Sequence, residues 1–172
     1  LPSIGPFLAY QYVVDLNYTD CLSFSEDDFV QPGPGALNGL KKCFTSLGDY
    51  SAADAIRWVT ERQDIEFQTR GLEFRSLWGR SLHLIDCQNL FCEVDKYARV
   101  AHPEFSGATG RSRIKQKFSP QAKAANPWFP PKWRINDAIA AEKANHSPDP
   151  MQSRPNFSRI AVAHQSQAVL SF

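Results

Sequence analysis

Asp86, Asn89, Glu93 and Lys96 recur at three- and four-residue steps, so a helix would carry them on one face. Two carboxylates with an amide and an ammonium could coordinate a divalent cation, position a nucleophile or shuttle a proton. The same residues also suit an ordinary solvated face, on which Glu93–Lys96 is a surface ion pair of little energetic weight. Asp95 and Arg99, four apart, read as a second pair of that kind on another side. A different chemistry is offered by Arg111, Arg113, Lys115 and Lys117, which alternate ahead of Phe118, with Trp128, Phe129 and Trp133 behind them. Basic residues interleaved with aromatics suit phosphate contact with base stacking, and equally a charged loop leading into a tail. Lys41 and Lys42 add a smaller basic patch. His83 and His102 flank the long helical pattern, where a lone histidine is more often a cap than a ligand. The sequence holds neither a nucleophile elbow nor a P-loop.

These residues need elements to position them. Residues 6–17 read as a helix after a Pro/Gly turn, and a Pro/Gly elbow at Pro32–Gly35 leads into a short helix over Ala36–Phe44. Ser51–Arg62 opens on Ser51 and Asp54 at capping-box spacing. The longest pattern covers 80–101, where Leu84, Cys87, Leu90, Phe91, Val94 and Ala98 define a buried stripe and Pro103 ends the run. No strand pattern or internal repeat stands out, so the body is expected to be all-α.

Composition narrows the classes. With 42% hydrophobic residues, 12 Phe and 4 Trp in 172 residues, the chain can bury a core. A net charge of +1 confines nucleic-acid affinity to local patches. No apolar run reaches the roughly 20 residues of a membrane span, so no membrane partner is expected. Cys21, Cys43, Cys87 and Cys92 show no zinc spacing. They read as reduced thiols of an intracellular protein, nuclear in a eukaryote and cytoplasmic in a bacterium or phage.

The opening LPSIG followed by PFLAYQYVVDL resembles the hairpin and second helix of helix-hairpin-helix proteins, with Ser3 in place of a glycine and the hairpin's first helix absent. The order of hairpin, helix, apolar step Phe29-Val30, elbow and helix is similar to that of the helix-hairpin-helix DNA glycosylase superfamily. That family's catalytic aspartate would fall near Gly33, where no carboxylate stands, so ordinary base excision is not expected. LPSIGPFLAYQYVVDLNY, DDFVQPGPGALNGLKKCF, LIDCQNLFCEVDKYARVAHPE and GRSRIKQKF together resemble the alpha-glutamyl/putrescinyl thymine pyrophosphorylase family, whose helical domain is shared with 5-hydroxymethyldeoxyuridine DNA kinases.

The resemblance implies a glycosylase-like helical domain over 1–118 and leaves 119–172 as an extended or partly disordered Pro-rich tail. It implies binding of DNA with a flipped, modified thymine, and replacement of pyrophosphate on a 5-hydroxymethyluracil base by an amine co-substrate. In that scheme Ser3, Gly5, Lys41 and Lys42 hold the DNA backbone, and Arg111, Arg113 and Lys115 hold backbone or pyrophosphate. Asp86, Glu93 and Asp95 deprotonate the amine, while Asn89 and Lys96 orient the base. No cofactor is implied beyond the divalent cation that the carboxylates could hold. The competing reading is a catalytically inactive DNA-binding module of a larger protein or assembly.

Overall fold

Proline marks two of the helix starts. Pro6 and Pro34 open α1 (Pro6–Asn17) and α2 (Pro34–Cys43), where the missing N–H has no intrahelical partner to lose and φ is already helical. Ser51 caps α3 (Ala52–Thr69). Its hydroxyl accepts from the Asp54 N–H, and Asp54 accepts from the Ser51 N–H at 2.9 Å, which is the reciprocal box expected from the sequence. α4 (Leu84–Ala101) starts after His83, and Asp86 accepts from the His83 N–H at 2.9 Å. The computed structural model describes residues 3–105, 119 and 127–145. Among these, the remaining elements are 3-10 turns at Pro103–Phe105 and Pro131–Trp133 and the helix α5 (Asn136–Asn145). The described residues contain no strand, only isolated bridge positions such as Leu77 with Arg80, so the all-α expectation holds.

Two boundaries differ from the sequence reading by more than two residues. α3 continues past Arg62 to Thr69. α4 begins at Leu84, not at residue 80, because Arg80 closes a turn back to Leu77 and His83, at φ −101° and ψ 176°, is still extended.

α2 lies directly on α4, and α3 closes the group. Ala36, Leu40, Ala55, Ile56, Leu84, Cys87 and Phe91 form the central cluster; burying each large aliphatic or aromatic side chain contributes about 1.5–3 kcal/mol. The contact is close because α2 presents glycines four apart. A Cβ at Gly39 would stand 2.0 Å from the Phe91 carbonyl oxygen, and one at Gly35 would stand 2.9 Å from Cys92 Sγ. The buried stripe of α4 also differs from the expected one. Leu90 points outward at 48% exposure, while Gln88 and Asp95 are buried beside Cys87 and Phe91. Gln88 is satisfied there: its Oε1 accepts from the Gly33 N–H at 3.1 Å.

The expected extended tail is corrected over 127–145. Ile135 and Ile139 are buried, and Lys132 Nζ donates to the carbonyls of Asn17, at 2.9 Å, and Leu22. Pro130 and Pro131 flank the start of a 3-10 turn, where a missing N–H is tolerated, and the adjacent aromatics supply the apolar surface that proline density alone does not reveal. The basic run with Arg111, Arg113 and Lys115 lies outside the described residues, as does the rest of the tail. No described helix is long and apolar enough to cross a membrane.

Candidate functional site

The polar face anticipated on α4 does not converge on a pocket. Asn89 is exposed. Glu93 and Lys96 pair at 2.5 Å with side-chain exposures of 64% and 46%, an arrangement that contributes about 0–1 kcal/mol at most. Asp86 turns toward the start of its own helix, where it accepts from Arg80 at 2.7 Å and from the His83 N–H. Asp95 belongs to a different environment. Its carboxylate is 2% exposed and is bonded to Lys42, at 2.8 Å, and to Arg99. Burial pushes its carboxyl upward, but hydrogen bonds from Arg99 and Lys42 outweigh this and hold it below the usual range. Asp95–Arg99 is therefore not a surface pair. Lys42, with a side-chain exposure of 7%, is turned into the protein toward Asp95, whereas Lys41 is exposed.

In the opening turn Ser3 takes φ 65°, in the left-handed region that favours glycine. Gly5 precedes α1 with an ordinary φ of −74°, and a Cβ there would meet nothing within 4 Å. The first turn of α1 carries neither a side-chain cap nor an acidic residue.

A second cluster, absent from the sequence reading, joins residues 26–28 to the segment before α4. Asp27 Oδ2 lies 2.9 Å from His83 Nδ1, and Asp27 Oδ1 accepts from the Leu84 N–H at 3.2 Å. A carboxylate can only accept, so in the neutral ring that bond puts the proton on Nδ1; Nε2 lies 3.9 Å from a Glu26 oxygen. Arg80 joins Glu26 and Asp86, at 2.7 Å to each, and Arg57 donates to the Asp27 carbonyl at 2.8 Å. Three carboxylates thus share Arg80 and one histidine. Their field reaches α1, where burial first, then Glu26 and Asp86, push Tyr18 up to about 12. Tyr10 is raised further, mainly by burial.

Beside this cluster runs a cleft of about 200 Å³ lined by Asp27, Arg57, Thr60, Gln63, Leu82 and His83. Its wall is fixed by Gln63, which accepts from the Leu82 N–H at 2.8 Å and donates to the Leu82 carbonyl at 2.9 Å. A histidine held by an aspartate at the edge of such a cleft can move a proton at its free nitrogen. Among the described residues, no group of three or more His, Cys, Asp or Glu is arranged to hold a metal ion. The acidic run S-E-D-D and the R-S-L-H segment were visible in the sequence, but nothing local pairs residues more than 50 positions apart.

Comparison with known proteins adds a relationship. The family described as "5-hmdU DNA kinase, helical domain" matches residues 1–107. A 5-hmdU DNA kinase of Bacillus phage SP10 is 29% identical over 104 residues, 56% of this chain and 16% of that protein. The chain therefore spans 16% of the length of that curated relative. No solved structure matches.

Proposed function

Because the chain belongs to the family of 5-hmdU DNA kinase helical domains, we propose that it recognises DNA carrying a 5-hydroxymethyluracil base in thymine hypermodification. The observation that carries this reading is the family match over residues 1–107, which takes in the turn at Ser3, α1 to α4 and the whole Glu26–Asp86 cluster. The amides at the start of α1 hold a backbone phosphate, and Lys41 on α2 adds a charge contact; Arg111, Arg113 and Lys115 take the same role. The base leaves the stack and enters the cleft beside His83. Its hydroxymethyl O–H donates a hydrogen bond to His83 Nε2, whose other ring nitrogen is held by Asp27. Phosphoryl transfer is assigned outside these 172 residues, to a larger protein or assembly, since they contain no P-loop to cradle a nucleotide.

Replacement of pyrophosphate by an amine would need a carboxylate ready to take the ammonium proton. Asp86 is bonded to Arg80, and Asp95 is closed in by Lys42 and Arg99. Of the three candidates only Glu93, paired with Lys96, stands on an open face. Base recognition is therefore placed ahead of amine transfer, and excision is left out because the described residues bring no carboxylate to Gly33, whose N–H bonds Gln88.

The test is fluorescence-anisotropy titration of two duplexes that differ only in one 5-hydroxymethyluracil for thymine. Affinity is expected to favour the modified duplex and to fall with salt, with a log–log slope of about −0.9 per phosphate contacted. Gly5→Leu, which has room for a side chain, should weaken both duplexes alike. Equal affinities for the two duplexes, or binding insensitive to salt, would overturn the reading.

A further inference from the structure

Arg80 ties the acidic cluster together, and the cluster alone does not hold it. Its side chain is 10% exposed, and its two terminal nitrogens donate to Glu26 and Asp86 at 2.7 Å each. Its Nε is buried and meets no acceptor among the described residues. The ring of Trp133 covers the guanidinium, with Arg80 Cζ 3.9 Å from the ring centre. An arginine is costly to keep in one rotamer. The two carboxylates fix the edge of its fork, and the indole fixes its plane through a cation–π contact made away from water.

Trp133 lies beyond residues 1–107, which match the family, and the segment that carries it is built onto the body. The Asn136 side chain accepts from the Phe129 N–H at 3.0 Å and donates to the Phe129 carbonyl at 2.8 Å, which closes the loop 129–136. Phe129 stacks on the Trp133 ring at 5.8 Å, and Tyr18 of α1 meets that ring edge-on at 5.4 Å. Next to it, Lys132 Nζ bonds the Asn17 carbonyl at the end of α1. These contacts place the indole, and Arg80 fits against it.

The consequence falls on His83. One Glu26 oxygen accepts from Arg80, while the other lies 3.9 Å from His83 Nε2, beyond hydrogen-bond length. With Arg80 out of place, Glu26 loses the cation it is bonded to and can close that gap. A ring nitrogen bonded to a carboxylate must carry a proton, so Nε2 would then donate to Glu26 and could accept from nothing.

We propose that Trp133 is a positioning residue of the base-recognition site: it holds Arg80 on Glu26 and Asp86 and so keeps His83 Nε2 open as an acceptor. The inference rests on the reading in which Nε2 accepts from the hydroxymethyl O–H of the modified base. It extends that site into the segment 127–145, which the family match does not reach.

The experiment uses the full chain and the two duplexes that differ only in one 5-hydroxymethyluracil. Trp133→Leu is expected to bind the modified duplex about fivefold more weakly and the thymine duplex as wild type does. Trp133→Phe, which keeps a ring over the guanidinium, should stay within twofold of wild type on both. Trp78→Phe removes the indole N–H bond to Glu142 of α5 and leaves Arg80 alone, so it should lower the melting temperature and preserve the preference. In an Arg80→Gln background, Trp133→Leu should have no further effect, because it acts through Arg80. A readout without DNA is the Arg80 Nε–H signal in arginine-labelled NMR spectra, protected from solvent exchange in wild type and Trp133→Phe and exchanging in Trp133→Leu. A Trp133→Leu variant that keeps the wild-type preference, loses it only as far as Trp78→Phe does, or acts undiminished without Arg80 overturns the positioning role alone. Wild type that binds the two duplexes equally overturns the recognition reading and this role with it.

Discussion

In the C-terminal half of α4, Asp95 is enclosed between Lys42 and Arg99 with 2% of its side chain exposed. At the N-terminal end, Glu26, Asp27 and Asp86 share Arg80 and His83 at the edge of a cleft, with side-chain exposures of 19%, 46% and 28%. The residue types are the same and the balance of charge is opposite. One carboxylate with two cations is a closed arrangement that has nothing left to offer a ligand. Three carboxylates face two arginines, Arg80 and Arg57, and a histidine at an open cleft, so the pairing there is less complete than at Asp95. Pairing at the first place holds α2 to α4; incomplete pairing at the second leaves acceptors and a proton carrier where a base could reach them.

The comparison can be broken most sharply at Asp95. Asp95→Ala leaves Lys42 and Arg99 facing a buried vacancy and should cost about 3–5 kcal/mol, read by chemical denaturation. Because the folded carboxyl is held below its unfolded value of about 3.9, the stabilisation is complete above that pH and is lost as pH falls through the folded value. Wild type should therefore lose stability below about pH 4 more steeply than Asp95→Asn. Parallel pH–stability curves would remove Asp95 from the account of the core.

Next in size is Gly39→Ala, whose methyl would enter the Phe91 backbone at 2.0 Å. Helices α2 and α4 must move apart, at a cost of about 1–3 kcal/mol, visible as a lower denaturation midpoint. An unchanged midpoint would mean that the glycine face does not set the helix spacing.

A smaller effect is expected from thiol labelling. Burial raises the thiol of Cys87 and Cys87 is fully enclosed, whereas Cys21 is exposed, so a thiol reagent near neutral pH should modify Cys21 first and Cys87 only as the protein unfolds. Labelling of Cys87 at a rate close to that of Cys21 would show that the α2–α4 half opens far more readily than its packing implies.

Local signals in the sequence carried much of the fold. Pro6, the Pro32–Gly35 elbow and the Ser51/Asp54 box announce three helix starts through chemistry confined to one turn, and the α4 stripe follows from its spacing. The same spacing misplaced Leu90, because Gln88 and Asp95 were excluded from the core as polar residues when each has a buried partner, Gly33 and Lys42, some 50 positions away. Lys42 was not legible as a core residue for the same reason: periodicity cannot tell a lysine that faces Asp95 from one that faces water. The packing of Trp133 on Arg80 and Tyr18 was hidden because prolines 130 and 131 read as an open tail. Asp27 and His83 lie 56 positions apart, and their pairing depends on the elbow bringing residues 26–28 over the start of α4.

The central claim is that the N-terminal end of α4 reads a base and the C-terminal half holds the fold. It is tested most directly by Asp27→Asn, with a thermal melt and titration of the 5-hydroxymethyluracil duplex run on the same preparation. Asparagine keeps an acceptor for the Leu84 N–H but no longer holds the His83 proton as a carboxylate does. The account predicts a stability change of no more than about 1 kcal/mol, a melting shift of about 2–4 °C, and an affinity for the modified duplex lowered about tenfold toward that of the thymine duplex. Unchanged affinity for the modified duplex, or an affinity lost only in step with the fold, would contradict it.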